Sequence, residues 1–219
     1  PANIVTSEEL EKRMATLYDR LKLPYGRLEL MSGIQERRFW DKGVFPSDIA
    51  SIAGNKAIEK AGIKRNDIEC LICASVCRDF LEPATASVIH HNLDLKQTSF
   101  IFDVSNACLG VLNGMMIVGN MIELGQIQAG LIVSGENGGP LVDSTINALL
   151  TNPKTNREDI KLAFASLTIG SAAAAVLLTH KDISNSGHQL LGGENRSATQ
   201  YNDLCRSNAD SGMHSEATP

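Results

Sequence analysis

Apolar segments of strand length alternate with helical patterns along most of this chain, and this alternation constrains its fold more than any other feature. Strand-like runs are predicted near residues 68–75, 99–104, 130–134 and 170–179. Helices are predicted after Pro83, over 108–124 and in a stretch before Ala165. Apolar strands separated by helices are typical of parallel crossover units. The expected fold class is therefore α/β, with a sheet covered by helices.

Helix ends in the first third of the chain are marked by capping residues. Thr6 followed by Glu9 forms a capping box, which predicts an amphipathic helix over about residues 7–22. A second helix is expected to begin at one of two candidate caps, Ser47 and Asp48. Gly62 is expected to end it, because glycine is favoured just past a helix terminus. Its apolar face is predicted to contain Ile49, Ile52, Ala53 and Ile58.

Length and charge limit the class of protein. The 219 residues suit one large domain or two small ones, and a net charge of −5 argues against a nucleic acid or an anionic membrane as partner. No apolar run approaches the roughly 20 residues of a membrane span. After His180 the sequence is rich in Ser, Asn, Gly and Asp. We therefore expect a folded half over 1–180 and a polar connecting segment over 181–219, partly disordered in its last dozen residues.

The N-terminus and the cysteines favour a reducing compartment. No basic region followed by an apolar core is present, so no secretory signal is expected and the predicted location is cytoplasmic. Five unevenly spaced cysteines do not form a disulfide framework. Cys70, Cys73 and Cys77 suggest a metal, but they follow a buried-strand pattern and no second ligand pair has zinc spacing, so no metal is expected. His90 and His91 fall in a predicted helix.

Cys108 lies where a predicted strand changes into a predicted helix. The first N–H groups of a helix are unpaired and its macrodipole end is positive, and both effects favour the thiolate, which is the nucleophilic form. The helix that follows is apolar almost all round, which predicts burial in a core. The alternative is that Cys108 is a small buried hydrophobic residue, as free cysteines often are. The residues alone leave both interpretations open.

Three stretches resemble, in the same order, segments of the 3-oxoacyl-acyl-carrier-protein synthase III group of the thiolase superfamily. They are Ser32–Arg38, Phe102–Gly110 and Leu167–Val176, the last without the acidic residue usual in that group. Two further stretches, 75–87 and 196–208, are similar to the OleA-type enzymes, which join two long acyl chains head to head. The resemblance extends over about residues 27 to 210.

The resemblance implies a thiolase-like layered α/β/α/β/α fold, of which this chain supplies about one half, the N-terminal one. The helix that begins at Cys108 would be one of the central helices. Members of this family pair edge strands across a two-fold axis, so a homodimer is expected, with 99–104 in the contact. Family members also use a histidine and an asparagine from the second half. Neither has a counterpart here, so an intact condensing site cannot be built from this half alone.

The same resemblance implies an acyltransferase that uses acyl-coenzyme A or acyl-carrier protein as substrate and needs no cofactor. Cys108 would accept an acyl group as a thioester. A second acyl thioester would then lose a proton to Glu82, offered across the dimer interface, and attack the acyl-enzyme in a Claisen condensation. In initiating synthases a Trp and an Arg hold the adenine end of the coenzyme. Arg27 and Met31 occupy those positions here, so the site for the adenine end of the coenzyme is absent or differently made.

Two alternatives accompany this interpretation. One is a decarboxylating 3-oxoacyl synthase III of fatty acid biosynthesis, which needs no base such as Glu82. The other is a non-catalytic scaffold half that completes a partner. For Glu82 itself, a purely structural role is also open, because acidic side chains near a helix start are stabilised by the macrodipole. Its neighbours Phe80, Leu81 and Pro83 are expected to supply the apolar surroundings that a carboxylate base requires.

Overall fold

Residues 1–208 and 212–215 are described by the computed structural model of the chain, and they group into two units. The first unit comprises residues 1–41, 137–171 and 196–219, and the second comprises 42–136 and 172–195. Part of the chain end for which disorder is expected, 209–211 and 216–219, lies outside the described residues. The domain boundary at residue 180 stays a prediction.

Strands and helices are numbered in chain order. The strands are β1 (Asn3–Thr6), β2 (Glu36–Phe39), β3 (Cys70–Cys73), β4 (Phe100–Asp103), β5 (Ala129–Glu136), β6 (Ala172–Thr179), β7 (Cys205–Asn208) and β8 (Gly212–Ser215). The helices are α1 (Ser7–Arg13), α2 (Ala15–Leu21), α3 (Arg27–Ser32), α4 (Pro46–Ala61), α5 (Thr85–Asn92), α6 (Gly110–Glu123), α7 (Gly139–Thr151) and α8 (Arg157–Leu167). Within the described residues there is no helix with the length and apolar character that crossing a membrane requires.

A four-stranded sheet in the order β4-β3-β5-β6 forms the centre of the second unit. Strand β3 pairs in parallel with β4 and with β5, as the alternating pattern predicted. Strand β6 pairs with β5 in the antiparallel direction, so the prediction of a parallel strand there is wrong. Two helices, α7 and α8, connect β5 to β6 instead of one crossover helix, and the chain re-enters the sheet at the end where β5 leaves it, with Ala172 opposite Glu136.

Helices cover both faces of this sheet. Leu71 and Leu131 are fully buried on the face that packs against α4 and α5. Ile72 and Ile132 are fully buried on the face that packs against α6. Each such side chain contributes about 1.5–3 kcal/mol relative to an exposed one. The α/β/α layering expected for one thiolase-like half is therefore present within this unit.

Helix α6 buries only one of its faces in this chain, which corrects the prediction of burial all round. Gly114 lies so close to the sheet that a Cβ there would come within 2.9 Å of the Ile132 side chain, which explains why a small residue stands at this point. On the opposite face, Leu112 is 56% exposed, and Leu109, just before the helix, is 51% exposed. The second apolar face of this helix is thus only partly covered, by the segment that contains Leu190 and Gly193 near Gly119 and Met116.

Some of the predicted helix boundaries are confirmed and others are wrong. The Thr6–Glu9 capping box and the left-handed Gly62 at the end of α4 are confirmed. Neither of the two candidate caps of α4 is correct, because Phe45 is the N-cap and Asp48 accepts its N–H from inside the first turn. The predicted helix over 7–22 is interrupted at Met14, which separates α1 from α2.

The first unit contains a separate core and two small sheets. Strands β1 and β2 pair antiparallel, as do β7 and β8, and none of the four was predicted. Helices α1, α2, α7 and α8 enclose a cluster of buried residues that includes Leu10, Met14, Leu17, Val142 and Ile146. Arg20 donates to the carbonyl oxygens of Pro153 and Thr155 and thereby ties α2 to the α7–α8 connection.

Candidate functional site

The carboxyl ends of β3, β4 and β5 lie at one edge of the sheet because these strands are parallel. The ladder continues one residue past β3 and β4, where the Ala74 N–H donates to Val133 O at 2.7 Å and the Val104 N–H donates to Cys73 O at 2.8 Å. Open α/β sheets bind ligands outside this edge. The segment with Cys108 leaves the sheet here, as does the loop with Glu82.

Cys108 lies in a 3₁₀ turn, Ala107–Leu109, between β4 and α6, which confirms the predicted strand-to-helix position. Its side chain is exposed, so it is not a small buried hydrophobic residue in this chain. Gly110, the first residue of α6, lies close to the backbone at the ends of β3 and β4. A Cβ on Gly110 would lie 3.3 Å from Ala74 O and 3.4 Å from Val104 O. A side chain there would displace the helix start and with it the thiol.

Cys70 and Cys73 differ from Cys108 in burial. They are 0% and 2% exposed, and burial raises the pKa of each thiol to about 11. The Cys73 Sγ also lies 3.6 Å from Ser75 Oγ. No group of three or more His, Cys, Asp or Glu side chains suited to a metal ion occurs in the part of the chain that the structure describes. Cys70 and Cys73 are thus core residues of β3.

At pH 8, iodoacetamide is expected to modify Cys108 and to leave Cys70 and Cys73 unmodified. A thiol with a pKa near 11 is ionised in only about one molecule in a thousand at that pH, and the reagent attacks the thiolate. Peptide mass mapping after a short exposure measures the order of labelling. Cys205, which is also exposed, is the control for accessibility alone. Labelling of Cys73 ahead of Cys108 in the folded protein would contradict this account.

Glu82 lies in the loop between β3 and α5 and is exposed. Phe80 and Leu81 are 49% and 93% exposed, so the apolar surroundings expected for Glu82 are not formed within this chain. No hydrogen bond joins Glu82 to Cys108 among the described residues. At the start of α5 the carboxylate of Asp103 accepts N–H groups, and the macrodipole role considered for Glu82 stays a prediction.

Three carboxylates hold the Glu82 loop in place, and sequence reasoning missed all of them. Asp103 accepts from the N–H groups of Thr85 and Ala86 at 2.9 and 2.8 Å. Glu136 accepts from the N–H groups of Val76 and Cys77 at 2.8 and 3.2 Å. Asp79 accepts from the Ser47 N–H at 3.0 Å, at the start of α4. The available signal was position, because Asp103 and Glu136 each end a strand of the sheet.

Asp103→Ala is expected to lower the free energy of unfolding by about 1–2 kcal/mol, because it removes the acceptor of two N–H groups in the first turn of α5. Urea titration followed by circular dichroism measures the effect. Asp67→Ala is the matched control, since that exposed carboxylate accepts no hydrogen bond from the described residues, and it is expected to change stability by less than about 0.5 kcal/mol. Equal midpoints for the two variants would contradict the capping role.

A cavity of about 370 Å³ lies within the first unit, between α8 and the segment that contains α3. Its walls include Leu23, Leu28 and Phe164, and cationic side chains stand around them: Arg27, Arg157 and Lys161. The Arg157 guanidinium donates to the carbonyl oxygens of Leu21 and Lys22. Among the described residues neither arginine has a carboxylate partner, whereas Lys161 pairs with Glu158 at 3.5 Å.

Arg27 and Met31, the two positions that the sequence linked to the coenzyme entrance, both line this cavity. The Arg27 Nη2 lies 3.6 Å from the Met31 Sδ. Glu11 holds the start of α3 in place beside the cavity, because its buried carboxylate accepts the N–H groups of Gly26 at 2.6 Å and Leu28 at 2.8 Å. The cavity therefore combines an apolar interior with an excess of positive charge, in a chain whose net charge is −5.

Comparison with known proteins identifies the family. The model of the family described as Thiolase, N-terminal domain, matches residues 31–181. An acyl-CoA:acyl-CoA alkyltransferase of Shewanella oneidensis is 43% identical over 206 residues, which are 93% of this chain and 58% of that protein. The protein of the same name from Xanthomonas campestris is 39% identical over 94% of this chain and 61% of its own length. A beta-ketoacyl-[acyl-carrier-protein] synthase III of Koribacter versatilis is 29% identical over 73% of this chain and 49% of its own.

Solved structures agree with this order of similarity. A cysteine-to-serine variant of Xanthomonas campestris OleA, with bound lauric acid and lauroyl-CoA, has a TM-score of 0.92 and 37% identity and covers 98% of this chain. This chain covers 63% of that structure and thus spans about three fifths of the length of its relatives. The predicted thiolase-like fold and the closer similarity to OleA-type proteins are both confirmed. Because the family model matches well over half of the residues, the chain belongs to the thiolase family, of which it contains the N-terminal domain.

Proposed function

We propose that the protein containing this chain is an acyltransferase that joins two acyl thioesters by a Claisen condensation without loss of carbon dioxide. The observation that carries the proposal is the exposed Cys108 at the carboxyl edge of a thiolase-like sheet, in a chain 43% identical to an acyl-CoA:acyl-CoA alkyltransferase. An exposed thiol at a helix start is an accessible nucleophile, whereas Cys70 and Cys73 are sealed in the core.

The first half-reaction transfers an acyl group to Cys108. The thiolate attacks the carbonyl carbon of an acyl thioester, and a tetrahedral oxyanion forms. We propose that backbone N–H groups near the start of α6 stabilise that charge. The oxyanion then collapses, the bond to the donor sulfur breaks, and the donor leaves as a free thiol. The product is an acyl-Cys108 thioester, which is formed without oxidation or reduction.

The second half-reaction uses a second acyl thioester as the nucleophile. Glu82 removes a proton from its α carbon, the carbanion attacks the carbonyl of acyl-Cys108, and the Cys108 thiolate leaves. A 3-oxoacyl thioester results. In the OleA variants the substituted cysteine and glutamate are 26 positions apart, the same separation as that between Cys108 and Glu82, and this supports both assignments.

Because Glu82 is exposed and has no apolar cover of its own, we propose that it acts in the partner subunit of a homodimer. Strand β4 is an edge strand of its sheet, with Phe100 60% and Ile101 38% exposed. An unpaired apolar edge favours pairing with a second chain, and two-fold symmetry is the commonest arrangement of soluble oligomers. A dimer formed through this edge would bring Glu82 to the site of the partner subunit. Contact with that subunit would remove water from the Glu82 carboxylate.

We further propose that the acyl donor is a coenzyme A thioester rather than a carrier protein. The cavity at Arg27 and Met31 supports this choice, because its apolar interior suits an adenine ring and its surplus cations suit phosphates. A solved structure of OleA, a relative, contains bound lauroyl-CoA, which also supports this choice. Five free cysteines support a reducing cytoplasmic location.

Product analysis tests the proposed reaction directly. The complete protein is supplied with a long-chain acyl-coenzyme A, either alone or with malonyl-coenzyme A, and the products are separated by mass spectrometry. We expect a 3-oxoacyl product built from two long chains and little incorporation of malonyl carbon. A preference for the malonyl donor, with release of carbon dioxide, would replace this proposal by the decarboxylating synthase reaction. Absence of either product at every donor concentration would favour the scaffold interpretation.

Arg27→Glu is expected to raise the KM for acyl-coenzyme A by about tenfold and to leave kcat nearly unchanged, since it replaces an attraction for phosphate by a repulsion that is the same in the ground state and in the transition state. Steady-state kinetics measures both constants. Lys64→Glu, an equal change of charge on an exposed residue outside the cavity, is the control. An unchanged KM for Arg27→Glu would remove the cavity from the donor site.

A further inference from the structure

The turn that contains Cys108 includes a non-glycine residue in the left-handed region. Ala107 has a φ of +41°, where the Cβ crowds the backbone carbonyl, and L residues other than glycine and asparagine rarely adopt this conformation. Such a residue persists only where its surroundings hold it in place. The conformation of Ala107 redirects the chain from the line of β4 into the turn, so it determines where the thiol of Cys108 stands.

A hydrogen bond between two asparagine side chains spans this turn. The Asn106 Nδ2 donates to the Asn113 Oδ1 at 2.6 Å, and the two residues are seven positions apart. Asn113 is on α6, so the bond ties the residue before Ala107 to the helix that follows Cys108. The Leu109 N–H donates to the Asn106 carbonyl at 2.9 Å and closes the turn from the backbone side. Both contacts converge on Asn106, the residue next to the strained one.

We propose that Asn113, acting through Asn106, is a positioning residue that keeps Ala107 in its left-handed conformation and thereby aims the Cys108 thiol at the acyl donor. The proposal rests on the proposed function, because it requires Cys108 to be the nucleophile. An amide suits the task better than a carboxylate does. It accepts from the Asn106 Nδ2 without placing a negative charge near a forming thiolate, which like charge would disfavour.

Four variants of the complete protein test the proposal: Asn113→Ala, Asn113→Asp, Ala107→Gly and the double variant Ala107→Gly/Asn113→Ala. The measured quantity is the rate of Cys108 acylation by a long-chain acyl-coenzyme A in a single turnover. Asn113→Ala is expected to lower this rate about tenfold, since strain of the size found for a left-handed alanine corresponds to about one decade in a population. The KM for the donor is expected to stay the same, because the donor site is untouched.

The double variant separates positioning from general loss of structure. Glycine adopts the left-handed region freely, so Ala107→Gly removes the strain that the asparagine pair opposes. We expect Ala107→Gly/Asn113→Ala to regain an acylation rate within about threefold of the parent. Asn113→Asp keeps the acceptor, so it is expected to retain the parent rate at high pH while its pH dependence of acylation and alkylation moves to higher pH. A residue with a merely structural role would show neither the rescue nor the shift.

Two results would overturn the proposal. The first is an acylation rate of Asn113→Ala equal to that of the parent. The second is a double variant as slow as Asn113→Ala, which would show that the strain at Ala107 is not what the pair opposes. Failure of the proposed function looks different, because the parent protein itself would then not be acylated at Cys108.

Discussion

Cys108→Ala is expected to abolish carbon–carbon bond formation in the complete protein. Removal of the nucleophile from a covalent mechanism costs on the order of a millionfold in kcat, so turnover should fall to background. Cys108 is exposed in a turn, and loss of its sulfur is expected to change the free energy of unfolding by less than about 1 kcal/mol. Product formation and a urea titration on the same preparation separate lost chemistry from lost folding.

Cys205→Ala is the matched control, because Cys205 is also an exposed free cysteine. It is expected to retain the parent rate. If Cys108→Ala still forms the 3-oxoacyl product at a rate comparable with that of Cys205→Ala, then the acyl-cysteine mechanism is wrong for this protein.

Glu82→Gln is expected to leave the acylation of Cys108 intact and to slow the coupling step by roughly a hundred- to ten-thousandfold. Acylation needs a thiolate and an oxyanion site, and neither involves this carboxylate. Coupling needs a base for a proton on carbon, and an amide cannot accept it. Single-turnover acylation and steady-state product formation measure the two steps separately. Glu123→Gln, a change of an exposed carboxylate at the far end of α6, is the control and is expected to leave both steps unchanged.

Mixed dimers test whether Glu82 acts across the interface. Subunits with Cys108→Ala and subunits with Glu82→Gln are each expected to be inactive as homodimers. A mixed dimer contains one site with an intact Cys108 and an intact Glu82 only if the glutamate comes from the partner chain. Random exchange of equal amounts is expected to restore about a quarter of the parent activity, because half of the dimers are mixed and each has one working site of two. No recovery after complete exchange would place Glu82 in its own subunit or outside the reaction.

The layered part of the fold could be predicted because its signals are local. The run Cys70–Cys73 is apolar on both faces, which is the pattern of a strand buried between helix layers, and β3 is covered on both sides. Gly62 and the pair Thr6–Glu9 mark helix ends by their own chemistry, and both marks are correct. Such features depend on a few neighbouring residues and need no knowledge of the rest of the chain.

Other features depend on tertiary packing and left no local mark. Met14 interrupts the first helix, although methionine is a good helix former, and it is fully buried in the core of the first unit. The antiparallel direction of β6 follows from how the chain returns through α7 and α8, and the apolar run of β6 is the same in either direction. The short pairs β1–β2 and β7–β8 join segments far apart or weakly apolar in sequence.

The candidate site also contains some residues that local sequence signals predict and others that depend on tertiary packing. The strand-to-helix boundary predicts Cys108, whereas only the resemblance predicts Glu82, for which a structural role is also open. Asp103 and Asn113 were not singled out, because each acts through a hydrogen bond to a residue that only the folded chain brings near it. The apolar cover of Glu82, expected from its neighbours, is absent because Leu81 is 93% exposed and the Phe80 ring packs against Phe45.

The location of the acyl group on the protein tests the central claim most directly. The complete protein is mixed with a long-chain acyl-coenzyme A, quenched in acid to preserve thioesters, digested and analysed by mass spectrometry. We predict that the acyl mass is found on the peptide with Cys108 and that hydroxylamine removes it, as a thioester requires. An acyl group on Cys77 or Cys205 with Cys108 unmodified, or a product formed while no cysteine is acylated, would contradict the account.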